Sequence, residues 1–180
     1  QSGAVGSIVL DWIASEGIGM SKFVSYGNAT DINDYDLIEF LGNDPNTRVI
    51  CSYMEGTKDG RKLMAAAKKV SKKKPIIVLK AGRTEEGTSA VSSHTGSLAG
   101  ADAVYDSAFR QSGMVRANSI EEMFDFARVL SEQPPSKGKR IMIITNGGGF
   151  GVLATDAVIG EGMKLAEWSP ANRKKLEKTL

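Results

Sequence analysis

Pro75-Ile76-Ile77-Val78-Leu79-Lys80-Ala81 runs directly into Gly82-Arg83-Thr84-Glu85-Glu86-Gly87 and on through Thr88-Ser89-Ala90-Val91-Ser92-Ser93-His94-Thr95-Gly96-Ser97-Leu98-Ala99. The first part is an almost unbroken apolar run without in/out alternation. That is the habit of a central parallel strand covered on both faces. The second part, Gly82 to Ala99, has no sustained period and is rich in Gly, Ser and Thr, so it reads as a long loop. A loop of this length inside a compact domain is usually functional.

The pattern upstream supports a parallel sheet. Ser2 is a good N-cap, and Val5, Ile8, Val9, Trp12 and Ile13 follow at helical spacing until Gly17 and Gly19. Lys22 to Ser25 reads as a short strand, followed by a turn around Asn28. Asp34 to Leu41 reads as a helix, Val49 to Met54 as a buried strand and Asp59 to Lys72 as a helix. The two apolar runs, Val49 to Met54 and Ile76 to Leu79, are expected to be adjacent, central and buried on both faces. Downstream come a helix over Ala101 to Gln111, a short strand over Met114 to Arg116, and a helix over Ile120 to Leu130. Ser119 and Glu122 form a capping box for the last of these. Strands alternating with helices imply parallel pairing through right-handed crossovers.

Residues 133–138, with Pro134-Pro135-Ser136-Lys137-Gly138, read as a linker. Beyond it the pattern restarts with a strand over Arg140 to Thr145, a glycine turn over Asn146 to Gly151 and a helix over Val152 to Glu161. A short strand over Met163 to Ala166 and a Ser169-Pro170-capped helix complete it. The expected organisation is therefore a domain over 1–132 and the start of a second α/β domain over 139–180. The first helix lacks a strand to feed it. Gln1 is not an initiator Met, so the chain reads as a piece of a longer polypeptide whose first strand lies upstream.

Composition excludes several classes of function. A net charge of +2, with 41% hydrophobic and 24% charged residues, is that of an ordinary globular chain. It gives no reason to expect nucleic acid or a membrane surface as partner. No apolar stretch is long enough to span a bilayer. Cys51 is the sole cysteine. It is read as a small buried hydrophobe in a reducing, cytoplasmic setting.

The chemistry-bearing residues gather, by topology, at the carboxyl ends of the strands, where open parallel sheets bind ligands. His94 is the only histidine. Small neighbours such as Ser93 and Thr95 would let donors approach an anion closely. An imidazole there can act as a nucleophile. A lone histidine without a cysteine cluster is not a zinc site. Glu55, directly after its strand, is either an exposed turn acid or a carboxylate that orients one imidazole nitrogen. Ser2, Gly3 and Ala4 open a helix with no bulky group at its mouth, and Gly147, Gly148 and Gly149 open another. Free N–H groups and the helix dipole suit both to anions. Gly149-Phe150-Gly151-Val152-Leu153-Ala154 also fits a loose dinucleotide fingerprint, a weak signal by itself. A nucleophile candidate, an orienting carboxylate and two anion-binding helix starts together suit a phosphohistidine.

Six stretches carry a family resemblance: QSGAVGSIVLDW, VSYGNATDINDYDLIEFL, VICSYMEG, IIVLKAGR, SSHTGSLAGADAVYDSAFRQSG and ITNGGGFGVLATDA. In this order they resemble the α-type part of the NDP-forming acyl-CoA synthetases, relatives of succinyl-CoA synthetase. The resemblance implies a flavodoxin-like parallel sheet with helices on both faces. It implies reversible conversion of acyl-CoA, phosphate and ADP (or GDP) to acid, CoA and nucleoside triphosphate through an acyl phosphate. The position of His94 implies the residue that takes the phosphoryl group, and that of Glu55 its stabilising glutamate. The helix starting at Ser2-Gly3 corresponds to one that holds the phosphoryl group, and Gly148-Gly149 to a second anion site. CoA, ATP/ADP, phosphate and Mg²⁺ are used by the full enzyme, with none bound tightly by this stretch.

The family's CoA-binding Rossmann domain and ATP-grasp domain are expected as partners, on this chain or another subunit, in an oligomer. Related lysine acetyltransferases carry a similar regulatory module, typically without the histidine. That module, and a docking domain whose glycines serve only packing, remain open alternatives. The acyl group is not legible.

Overall fold

The computed structural model describes residues 1–95, 100–134 and 136–178, and the side chains of His94 and Thr95 lie outside the described part. The chain divides into two compact units, Gln1–Gln133 and Pro134–Leu180.

In the first unit a three-stranded parallel sheet is ordered β1 (Ile50–Met54), β2 (Ile76–Lys80), β3 (Val115–Ala117). Ile50 pairs with Ile76 and Met54 with Lys80; Ile77 pairs with Val115 and Leu79 with Ala117. Every residue of β2 is buried, and its side chains alternate between two cores because successive strand residues face opposite ways. Ile76 and Val78 join a cluster built with Ile38, Leu63, Ala67 and Phe109, from α2 (Asp34–Asn43), α3 (Gly60–Val70) and α5 (Asp102–Ser112). Ile77 and Leu79 join Val9, Ile13, Met123 and Phe124, from α1 (Gly3–Ser15) and α6 (Ile120–Glu132). Trp12 and Phe124 meet edge to face, ring centroids 5.1 Å apart. The apolar run at Ile76 thus forms the centre of a sheet with helices on both faces.

Helix starts follow local chemistry. Asp59 accepts from the amides of Arg61 and Lys62, both at 3.0 Å, and starts α3. Ser119 accepts from Glu122 N at 3.1 Å, but the Glu122 carboxylate reaches back to Asn118 N, so the expected capping box is displaced by one residue. Gly113, with φ +74°, closes α5 in the left-handed region.

Three expectations about strands and loops in the first unit are corrected. Lys22 to Ser25 belongs to no strand, and Phe23 and Val24 are exposed. β1 is adjacent and parallel to β2 as expected, yet it is an edge of the described sheet and only its end residues are buried. A cavity of about 690 Å³ is lined by residues of both β1 and the segment over 17–26, and among the described residues no strand pairs with the outer edge of β1. Third, Glu85–Thr95 is a helix, α4, where a loop was expected. Thr84 starts it by accepting from Gly87 N at 3.0 Å, and Glu85 and Glu86 suit the positive end of the helix dipole.

Cys51 is exposed rather than buried. It lines the cavity, and the surrounding walls push its thiol up to about 12 even though solvent reaches it.

In the second unit β4 (Arg140–Ile141) pairs in parallel with β5 (Lys164–Leu165), and α7 (Gly148–Gly160) and α8 (Pro170–Leu176) complete it. β4 is shorter than the expected Arg140 to Thr145 because β5 offers it only two partners; Ile144 is 87% exposed. α7 begins inside the glycine turn. Among the described residues no helix is long and apolar enough to cross a membrane.

Candidate functional site

The site is assembled where β1 ends and α1 begins. Ser2 has extended backbone, and its Oγ accepts from Val5 N at 3.4 Å, so it caps α1. Nothing would lie within 4 Å of a Cβ on Gly3, and Ala4 is exposed, so the mouth of the helix is open. Gln1 stitches this mouth to the end of β1. Its Oε1 accepts from Glu55 N at 2.5 Å and from Gly56 N at 3.1 Å, and its amino group donates to Tyr53 O at 3.3 Å.

Glu55 is only 6% exposed, which sets aside the reading of an exposed turn acid. The Tyr53 hydroxyl donates to Glu55 Oε1 at 3.3 Å. Ser2, Gly3, Ala4 and Glu55 therefore share one corner of the sheet's carboxyl edge. A carboxylate beside an open helix N-terminus can accept a proton or orient an imidazole, while the helix start favours an anion.

His94 and Thr95 belong to the last turn of α4, and Gly96 and Ser97 lie outside the described residues. Helical amide hydrogens point back into the i→i−4 ladder. Donors from this segment are therefore its hydroxyls, and Ser93 Oγ donates to Ser89 O at 3.0 Å. Gly147, Gly148 and Gly149 stand at the start of α7 in the second unit. Gly147 N donates to Thr145 Oγ1 at 3.0 Å, and Gly148 and Gly149 have open space around them. Among the described residues no group of three or more His, Cys, Asp or Glu could hold a metal ion.

Sequence reasoning missed the buried polar groups around Glu55. Asp34 is 5% exposed. Its Oδ1 accepts from Tyr35 N at 2.9 Å, but Oδ2 is buried without a hydrogen-bond partner. Burial pushes its carboxyl above the usual range, an effect that the nearby Thr57 hydroxyl and the Tyr35 amide partly oppose. The Tyr26 hydroxyl is also buried and unpartnered, and burial, with Asp34 and Glu55 adding negative charge, pushes it well up. Lys80, the last residue of β2, is 1% exposed and donates to Ala81 O. Burial lowers its ammonium below the usual lysine range, against the raising fields of Asp102 and Glu55. Lys80 did carry a signal: it is the one charged residue in an otherwise apolar strand.

Comparison with known proteins gives the chain a family context. Residues 1–130 match the family model described as the succinyl-CoA ligase like flavodoxin domain. The acetate–CoA ligase (ADP-forming) I subunit alpha of Pyrococcus furiosus is 59% identical over 92% of this chain, and the chain covers 36% of that protein. The acetate–CoA ligase (ADP-forming) of Methanocaldococcus jannaschii is 48% identical over the whole chain, which covers 25% of it. The dinucleotide-forming acetyl-coenzyme A synthetase 1 of Ca. Korarchaeum cryptofilum, solved in complex with phosphate and ADP, superposes with a TM-score of 0.93 at 46% identity. That superposition covers 99% of this chain and 39% of the solved one. The chain thus spans about a quarter to two fifths of these relatives. With a parallel sheet sandwiched between helices and a family match over most of its length, the chain belongs to the succinyl-CoA ligase-like flavodoxin domain family.

Proposed function

We propose that this chain carries the phosphohistidine segment of an ADP-forming acyl-CoA synthetase, an acid–thiol ligase. In this reading the complete enzyme interconverts acyl-CoA, phosphate and ADP with acid, CoA and ATP. A phosphate oxygen attacks the thioester carbonyl, the C–S bond breaks, and CoA leaves as its thiolate. An imidazole nitrogen of His94 then attacks the phosphorus of the acyl phosphate, and the carboxylate departs with the bridging oxygen. ADP takes the phosphoryl group from His94, which restores the free imidazole.

The observation that carries the reading is the buried Glu55 at the open start of α1. Glu55 orients the ring through its other nitrogen and stabilises the imidazolium that forms. The helix start at Ser2, Gly3 and Ala4 holds the phosphoryl oxygens. The start of α7 at Gly147, Gly148 and Gly149 is a second anion site, and Ser93 and Thr95, which flank the histidine in the sequence, belong to the phosphate-binding set. CoA, nucleotide and its Mg²⁺ are held by a CoA-binding Rossmann domain and an ATP-grasp domain, on the same polypeptide or another subunit, in a cytoplasmic oligomer. The relatives' names as ADP-forming acetate–CoA ligases support this class of reaction.

The test is incubation of the complete enzyme with γ-labelled ATP and Mg²⁺. An acid-labile, base-stable label is expected on His94, and His94→Ala should lose both label and turnover. Glu55→Gln should keep the fold and slow labelling ~10²- to 10⁴-fold. Label or near-normal turnover in His94→Ala would overturn the reading in favour of a non-catalytic module.

A further inference from the structure

The buried ammonium of Lys80 has no part in the reaction as written above. Burying it at the end of β2 is costly, because a desolvated charge is stable only where its surroundings replace water. A methionine or leucine would fit the end of β2 without that cost. Three structural elements supply the compensation. The strand end itself provides the Ala81 carbonyl. α5 provides the Tyr105 ring, with Nζ 4.7 Å from its centroid, and Asp102 in its first turn. The end of β1 provides the field of Glu55, while Arg116 from β3 opposes the charge. Arg116 is itself paired with Asp102, and with Asp106 at 3.5 Å.

Tyr105 is the link between these parts. While its face holds the lysine, its hydroxyl accepts from Thr57 N at 3.2 Å. A Cβ on Gly56 would lie 3.7 Å from the same hydroxyl oxygen. The ends of β1 and β2 are also joined directly, as Ala81 N donates to Met54 O at 2.9 Å. One aromatic side chain therefore spans from the lysine to the turn that carries Glu55. It does so from the first turns of α5, the helix that follows the His94 segment in the chain.

We propose that Lys80 is a positioning residue of the phosphoryl-transfer site, its ammonium clamping the Tyr105 ring so that the start of α5 and the Glu55–Thr57 turn are held in one register. This rests on the reading of His94 and Glu55 given above. Without the charge, the ring loses its cation–π partner. The Thr57 amide then loses a fixed acceptor, and the two walls of the site drift. A misplacement of about 1 Å is enough to slow a transfer by about 10²-fold.

The experiment compares Lys80→Met, Tyr105→Phe and the double variant in the complete enzyme, with His94→Ala as the control. Lys80→Met should label His94 about 10- to 100-fold more slowly and lower kcat in step. KM for phosphate should change less than about twofold, since the clamp touches no substrate. Tyr105→Phe keeps the ring and loses only the acceptor, so a loss of about 3- to 10-fold is expected. The double variant should be no worse than Lys80→Met, because both act through one ring. Hydrogen exchange of the Thr57 amide in the 180-residue chain should quicken in both single variants, a readout that does not depend on phosphorylation. Should Lys80→Met fail to fold, Tyr105→Phe with its KM-against-kcat split decides the matter. Wild-type labelling in Lys80→Met with His94-dependent label, or losses that multiply in the double variant, overturns the role of Lys80 alone. Label persisting in His94→Ala overturns the underlying reading and the clamp with it.

Discussion

Asp34 shows how a single buried group leaves a signature in solution. Its Oδ2 has no hydrogen-bond partner, and burial holds its carboxyl above the usual range. The folded chain therefore binds a proton there more tightly than the unfolded chain does. Stability from this group is fully present below the ordinary aspartate value, about 3.9, and is lost as pH rises through the elevated folded value. Asp34→Asn keeps an oxygen for the Tyr35 amide and removes the charge. Its new amide hydrogens are in the neighbourhood of the unpartnered Thr57 and Tyr26 hydroxyls. Urea unfolding at pH 7 should give a gain on the order of 1 kcal/mol, shrinking to nothing below about pH 4. A loss of stability at pH 7 would mean that the charged form is held by partners other than those described. None of this was legible in the sequence. Asp34 sits among Asp31 and Asp36 and looks like one more acid at a helix start; only the packing of its neighbours sets it apart.

At the scale of elements, α2 lies against α3 through a glycine. A Cβ on Gly42 would stand 2.5 Å from Val70 Cγ2 and 2.9 Å from its Cγ1. Val70 is buried, and a β-branched side chain has few rotamers to retreat into. Gly42→Ala gains about 1 kcal/mol of helix propensity but overpacks this contact at about 1–3 kcal/mol. A net loss is expected in the urea midpoint, and Val70→Ala in the same chain should recover part of it. A gain from Gly42→Ala alone would refute the close packing. Elements with a periodic apolar face or a local cap were legible. The run at Ile76, the Ser2 and Asp59 starts and the apolar positions of α6 all follow rules of spacing. α4 was not legible, because Ser, Thr and Gly at 87–95 give it no apolar face to count. The edge position of β1 was not legible either, since Val49 to Met54 has the same apolar look as a strand paired on both sides. Of the site, the place of Glu55 followed from the end of a strand. Its bond to Gln1, and the lysine and tyrosine beneath, depend on contacts between residues 25 to 54 positions apart.

For the whole molecule, the division after Gln133 sets what unfolds first. The first unit has two cores on the faces of one sheet. The second pairs two strands of two residues each, and among its described residues only Val158 is a buried hydrophobe. Ile144, Phe150, Val152, Leu153 and Ile159 are exposed. A unit of this size with so little burial has a small reserve against unfolding. The connection is open to a protease as well, because Gln133, Pro134, Ser136, Lys137 and Gly138 are all exposed. Trypsin should therefore cut first after Lys137 and leave a persistent fragment ending there, while the lysine-rich α3 survives under its packing against α2 and α5. Hydrogen exchange gives the same order independently. The amides of Lys164 and Ala166, which donate to Lys139 O and Ile141 O at 2.8 Å, should exchange well before those of β2, whose residues are covered on both faces. A first cut within α3, or protection of Lys164 equal to that of Val78, would show that the two units unfold as one.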